Sequence, residues 1–144
     1  MYSYEGALKA VKEGAAEGFH LPTDAEWMML ERHLGMDAGE LEGLENWRGH
    51  AGELLKTGEQ GIGFDALYGG AAVYALSTAY NSRYVYKNEG AYFWSSDQIV
   101  ISDSLSNGIV RNISLYHSGI RRMTRRLIST TENVRPSYSV RLVK

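Results

Sequence analysis

The chain has 144 residues, a formal net charge of −2, and 44% hydrophobic against 22% charged residues, proportions that fit one globular domain with a continuous core. Its lack of cysteine excludes disulfides, thiolate catalysis and cysteine-ligated zinc or iron–sulfur centres. No apolar run approaches the ~20 residues of a membrane-spanning helix, and the start Met1-Tyr2-Ser3-Tyr4-Glu5-Gly6 lacks the form of a secretory signal, so any export signal is expected to be absent or to lie outside this chain.

Ala7, Leu8, Val11 and Ala15 recur at near-helical spacing ahead of Gly18 and predict a first helix. Thr23-Asp24-Ala25-Glu26 has the form of a capping box, in which Thr23 and Glu26 satisfy each other's backbone amides, and it predicts a second helix over residues 24–34. Trp27, Leu30 and Leu34 share one face of that helix, Gly35 supplies its stop, and Pro22 keeps the two helices apart. Residues 36–63, rich in Gly and Glu, read as mostly loop with a short helix at 51–55. Strand-length apolar runs follow at 71–75, 91–94, 109–115 and 139–143. The expected class is therefore α+β, with two N-terminal helices packed on a small, mainly antiparallel sheet.

The composition changes after Ser96. From Asp97 to Pro136 there is no Ala or Lys and one Glu, while Ile, Val, Ser, Thr, Asn and Arg crowd together, a mixture suited to strands and loops that present contact groups. Residues 1–96 carry 7 positive and 14 negative groups, whereas 97–144 carry 8 and 3. That asymmetry can steer an acidic partner toward one side. A basic solvated edge without a partner accounts for it equally well.

Within the segment, Ile109, Arg111, Ile113 and Leu115 share one strand parity and Val110, Asn112, Ser114 and Tyr116 the other. A strand here would turn Asn112, Ser114 and Tyr116 toward solvent or a ligand. His117-Ser118-Gly119 reads as a hairpin turn, after which Arg121, Met123 and Arg125 continue one face of a returning strand. Ile99, Val100, Ile101 and Leu105 lie between polar residues in an expected loop, where they either fill a satellite core or supply apolar contact area.

Four blocks occur in order: Gly18-Phe19-His20-Leu21-Pro22-Thr23-Asp24-Ala25-Glu26-Trp27, Gly63-Phe64-Asp65-Ala66-Leu67-Tyr68-Gly69-Gly70, Ala91-Tyr92-Phe93-Trp94-Ser95-Ser96 and Tyr138-Ser139-Val140-Arg141-Leu142-Val143. Together they resemble the Fibrobacter succinogenes major paralogous domain, and the likeness spans nearly the whole chain. The resemblance implies a C-type-lectin-like fold related to the formylglycine-generating enzyme superfamily, with long loops gathered around one face. It also implies a variable protein of a diversity-generating retroelement, in which adenine-directed mutagenesis rewrites one block while flanking residues stay fixed. Residues 1–96 and 137–144 would then be framework and 97–136 the variable, ligand-binding segment. Gln98, Met123 and Glu132 depart from this pattern, because an Asn codon altered at its adenines does not yield them.

The expected contact residues are Asp97, Ile99, Ile101, Val110, Asn112, Ser114, Tyr116, His117, Arg121, Met123 and Arg125. Arg121 and Arg125 offer charge and forked donors, Tyr116 an amphipathic ring, Asn112 and Ser114 adaptable hydrogen bonds, and Ile99 and Ile101 apolar area. The expected partner is a macromolecule, a protein or a surface glycan, met on a cell surface or a phage particle. A structural surface module without its own ligand is the alternative.

No enzyme chemistry, cofactor or metal is expected. Formylglycine-generating activity needs cysteines, His20, His33, His50 and His117 have no metal-ligand spacing, and calcium would need six to eight oxygen ligands where Asp97-Gln98 and Glu132-Asn133 stand isolated. His20 reads as a hydrogen-bonded framework residue. Glu40, Glu42 and Glu45 read as a solvated acidic face, and Trp27, Phe64, Tyr92, Phe93 and Trp94 as core. Nucleic acid ranks below the other partners, because the chain is acidic overall despite Arg121, Arg122, Arg125 and Arg126.

Overall fold

The computed structural model describes residues 1–14, 17–75, 83–103, 105–127 and 134–144. In chain order its elements are α1 (Tyr4–Gly14), α2 (Asp24–His33), β1 (Trp47–Arg48), α3 (Ala51–Leu54), β2 (Ala71–Ala75), β3 (Arg83–Val85), β4 (Gly90–Ser102), β5 (Leu105–Ser114), β6 (Ile120–Arg126) and β7 (Val134–Ser137). The fold is α+β. Strands form a four-stranded sheet ordered β1-β6-β5-β4 and a three-stranded sheet ordered β3-β2-β7, with every strand pair antiparallel.

Both expected helices are present. The first is Tyr4–Gly14, and Ala15, which the spacing included, lies outside the described residues. The second opens on the capping box: the Glu26 amide donates to the Thr23 hydroxyl at 3.1 Å, and the Glu26 carboxylate accepts the Thr23 amide at 2.8 Å. The short third helix also falls where expected. The C-terminal run at 139–143 is not a strand. It is held by isolated bridges from Ser139 to Phe93 and from Val143 to His20.

The larger sheet is covered on both faces. On one side Trp27 of α2, Leu55 just after α3, and Phe93, Ile113 and Ile120 of the sheet form a first apolar cluster. On the other, Tyr4 and Ala7 of α1 and Ala71 of β2 pack with Trp94, Val110, Met123 and Tyr138 in a second. A strand buried on one face alternates apolar and polar, whereas β5 is buried at every position from Gly108 to Asn112 and on to Ile113. Val110, expected to face solvent or a ligand, has no exposed surface and belongs to the second cluster.

Residues 97–102 are not loop. They extend β4 and pair with the start of β5, after an irregularity that places Ser95, Ser96 and Asp97 opposite Ile109 alone. Such a bulge re-aims side chains, and here it docks the strand on the start of α2. The Asp97 carboxylate accepts the Asp24 amide, and the Ser96 amide donates to the Pro22 carbonyl at 2.9 Å.

Candidate functional site

The end of the larger sheet near Ser114 and the face of the smaller sheet enclose a concavity of about 830 Å³. Its floor comes from alternate positions of two central strands, Asn112 and Ser114 of β5 and Arg121, Met123 and Arg125 of β6. The register sets Asn112 opposite Arg121 and Val110 opposite Met123, so the two strands present one continuous face. Ala71, Val73, Val85 and Pro136 of the smaller sheet form the opposing wall.

The β5–β6 connection supplies Tyr116 and His117 to the rim, and neighbouring elements fix its path. The Leu115 amide donates to the Glu89 carbonyl at 2.8 Å, the Tyr116 amide to the Ser114 hydroxyl at 3.2 Å, and the Glu53 amide to the Ser118 carbonyl at 2.8 Å. α3 approaches so closely that a Cβ on Gly52 would lie 2.1 Å from the Gly119 carbonyl oxygen, which leaves room only for glycine. The His117 ring stacks on Trp47 of β1 with centroids 4.2 Å apart.

Aromatic rings run outward from the core into the site. Trp94 meets Tyr138 edge-on at 4.7 Å, Tyr138 stacks with Tyr92 at 5.5 Å, and Tyr92 lies 6.0 Å from Tyr86. Burial pushes the Tyr138 phenol up to about 12, against the opposing pull of Arg125. Burial also raises Tyr92. Both hydroxyls therefore stay protonated near neutral pH.

Glu45 organises the arginines. It sits at φ 62, a backbone region few non-glycine residues occupy, and its amide donates to the Arg122 carbonyl at 2.8 Å. Its carboxylate accepts the Thr124 amide at 2.8 Å and pairs with Arg121 at 3.2 Å and Arg125 at 3.5 Å. Glu45 is solvent-exposed, as are Glu40 and Glu42, and it also serves as a clamp on β6. Arg126 also reaches the concavity and has no ion pair among the described residues.

Of the eleven expected contact residues, seven line this one concavity: Asn112, Ser114, Tyr116, His117, Arg121, Met123 and Arg125. Tyr116 is 70% exposed, whereas Asn112 and Met123 are buried and form the floor. The Asn112 amide donates to the Ala91 carbonyl at 3.2 Å. The other four lie elsewhere. Val110 is core, Asp97 is spent on the start of α2, and Ile99 and Ile101 stand on the outer arm of β4, where Ile101 is exposed and Ile99 half-buried.

Trp47, Tyr86, Glu89, Tyr92 and Tyr138 line the same concavity from outside residues 97–136. Sequence reasoning did not place them at the site; it assigned Tyr92 to the core, and Tyr92 does pack against the second cluster while also lining the concavity. No local pattern marks them: Trp47 stands between Asn46 and Arg48, and Tyr86 between Val85 and Lys87.

The opposite face of β5 holds a buried ionic network. Arg111 donates to Glu31 at 2.5 Å and to Asp24 at 2.7 Å, and Arg48 donates to Glu31 at 3.0 Å. Arg122 binds the Asp24 carboxylate as well. Burial alone would raise the Asp24 carboxyl, but hydrogen bonds from Arg122 and the charge and hydrogen bond of Arg111 outweigh it and hold the group below its ordinary value. Arg122 is raised in turn, chiefly by its hydrogen bond to Asp24. Arg122 is thus committed within the protein and is not available to phosphates.

His20 bonds Glu26 at 2.8 Å as a framework residue. Among the described residues, no group of three His, Asp or Glu side chains could hold a metal ion, and no helix is long and apolar enough to cross a membrane. Glu132 and Asn133 lie outside those residues.

The molecule is thus an α+β protein with two antiparallel sheets and an aromatic, arginine-bearing concavity between them. The chain matches the family described as the Fibrobacter succinogenes major domain over residues 1–144, and it belongs to that family. No curated protein and no solved structure matches it.

Proposed function

We propose that this chain is a non-enzymatic binding domain of C-type-lectin-like fold, whose concavity holds a macromolecular ligand at a cell surface or on a phage particle. The supporting observation is the convergence of Ser114, Tyr116, Arg121 and Arg125 on one concave face above a buried floor of Asn112 and Met123, while Arg111, Ile113 and Ile120 of the same two strands are buried on the other. That division separates contact chemistry from folding. A rigid strand platform carrying aromatic rings, arginines and small polar groups has the composition of a recognition surface.

The same division bears on diversification of residues 97–136 by a retroelement. Variation at Ser114, Leu115 and Tyr116 would leave the scaffold intact, since these side chains are at least partly exposed, whereas variation at Val110, Arg111 or Ile113 would not. In this reading the variable positions are a subset of the segment, concentrated at the rim.

A binding screen against surface glycans and surface proteins, run on the wild type and on Tyr116→Ala and Ser114→Trp, tests the reading. A ligand bound by the wild type and lost in both folded variants supports it. A structural spacer would bind nothing and lose nothing. Diversification has its own test: a neighbouring template repeat should differ from this coding segment mainly at template adenines, and differences scattered over all bases would refute it.

A further inference from the structure

We propose that the ligand of the concavity is the end of an acidic glycan, a sugar carrying a carboxylate; this rests on the binding reading above and specifies its chemistry. Size supplies the first argument. About 830 Å³ lies within the ~300–1,000 Å³ of sites that enclose a compact ligand, whereas a flat protein epitope needs no such depth.

The lining supplies the second. β5 and β2 are paired on both sides, and β6 is paired with β5 along its length and with β1 at Ile120 and Arg121, beyond which Glu45 takes up the Arg122 carbonyl with its amide and the Thr124 amide with its carboxylate. An extended peptide is held chiefly through main-chain hydrogen bonds at a free strand edge, which this floor does not offer. It offers side chains instead, with the rings of Tyr86 and Tyr92 beside the Ser114 hydroxyl and the Arg121 and Arg125 guanidinium groups, over the buried Asn112 and Tyr138. A sugar ring has the matching alternation, C–H faces for aromatic rings and hydroxyls that both donate and accept.

Charge supplies the third argument. Among the described residues, Arg121, Arg125 and Arg126 line the site against Glu89, and one cation remains in excess even when Glu45 is counted beside Arg121 and Arg125. A guanidinium binds a carboxylate through paired N–H groups. Glu45 already occupies part of that capacity, so it competes with an incoming carboxylate and limits affinity.

The test titrates the whole chain with N-acetylneuraminyl-lactose, with lactose as the neutral control and a hexa-aspartate peptide as the acidic non-sugar. The acidic sugar should bind about tenfold more tightly than lactose, weaken with added salt, and lose about tenfold on Arg125→Gln or Arg126→Gln. Glu45→Gln keeps an acceptor for the Thr124 amide while removing the competing charge, and should tighten the acidic sugar about threefold without changing lactose. Equal binding of lactose, binding of the peptide in place of the sugar, or no sugar binding by the folded chain would each overturn the inference. A screened protein ligand lost in Ser114→Trp alongside no sugar binding would sink the glycan and leave the binding reading standing. A screened ligand indifferent to both Ser114→Trp and Tyr116→Ala would sink that reading itself.

Discussion

Arg111 of β5 and Glu31 of α2 meet at 2.5 Å with neither side chain exposed to solvent. The pair ties the helix to the back of the strand whose front forms the floor of the concavity, so one residue pair couples the scaffold to the site. Removing one member of a buried pair leaves a buried charge short of partners, which costs about 3–5 kcal/mol. Arg111→Met should lose stability of that order in urea denaturation, whereas Arg126→Met, at an exposed position, should stay within about 0.5 kcal/mol of wild type.

Asp24 gives the network a pH dependence. Its folded-state pKa is below the ordinary 3.8, so the unfolded chain takes up a proton at higher pH than the folded one. The stability it contributes is fully present above about 3.8 and is lost as pH falls through the lower folded value. Denaturation midpoints should therefore fall on acidification below about pH 4. Asp24→Asn should be less stable at neutral pH and show a flatter acid limb, and an unchanged limb would remove Asp24 from the account.

The start of α2 can be tested separately. Thr23 accepts the Glu26 amide at 3.1 Å, and replacing such a cap with alanine costs about 1 kcal/mol. Thr23→Ala should lower stability by that amount in the same assay. Binding at the distant concavity should not change.

Which parts of this fold were legible follows from the range of the interactions. The Thr23–Glu26 box spans three residues, so its pattern stands in the sequence and the helix begins where the box places it. The face shared by Asn112, Ser114, Arg121 and Met123 was equally legible, because strand parity is local. Parity does not say what covers each face. Val110 shares the parity of Asn112 but lies deeper, under α1 and the smaller sheet, whereas Ser114 lies beyond that cover. Parity set Arg111 with Ile109 and Ile113, opposite the presented face, but its ion pairs were not legible because its partners Glu31 and Asp24 are 80 and 87 residues away. Residues 97–102 read as loop for a related reason, since a strand that continues past a bulge is defined by its partner and not by its own pattern. The contributions of Trp47, Tyr86 and Tyr138 to the site arise only where separate elements meet.

Close backbone packing at the rim gives a sharp steric prediction. A methyl at Gly52 would meet the backbone of Gly119, which has no side chain to yield. Gly52→Ala should therefore force the β5–β6 connection outward and cost about 2 kcal/mol. Tyr116 and His117 lie on that connection, so ligand affinity should fall together with stability.

Substitution tolerance across β5 separates scaffold from contact surface in a single experiment. Val110 has no exposed surface and packs in the same cluster as Trp94 and Met123, so Val110→Ala opens a cavity and should cost about 2 kcal/mol. Tyr116 is 70% exposed, and Tyr116→Ala should leave stability within about 0.5 kcal/mol of wild type while ligand binding falls. Ser114→Trp would fill the concavity from its open end and should abolish binding without unfolding the chain. Saturation of positions 110–116, sorted once for folding and once for binding, should therefore give two nearly complementary maps. Intolerance at Ser114 and Tyr116 in the folding sort would mean that these side chains hold the fold together, and the division on which the binding reading rests would be lost.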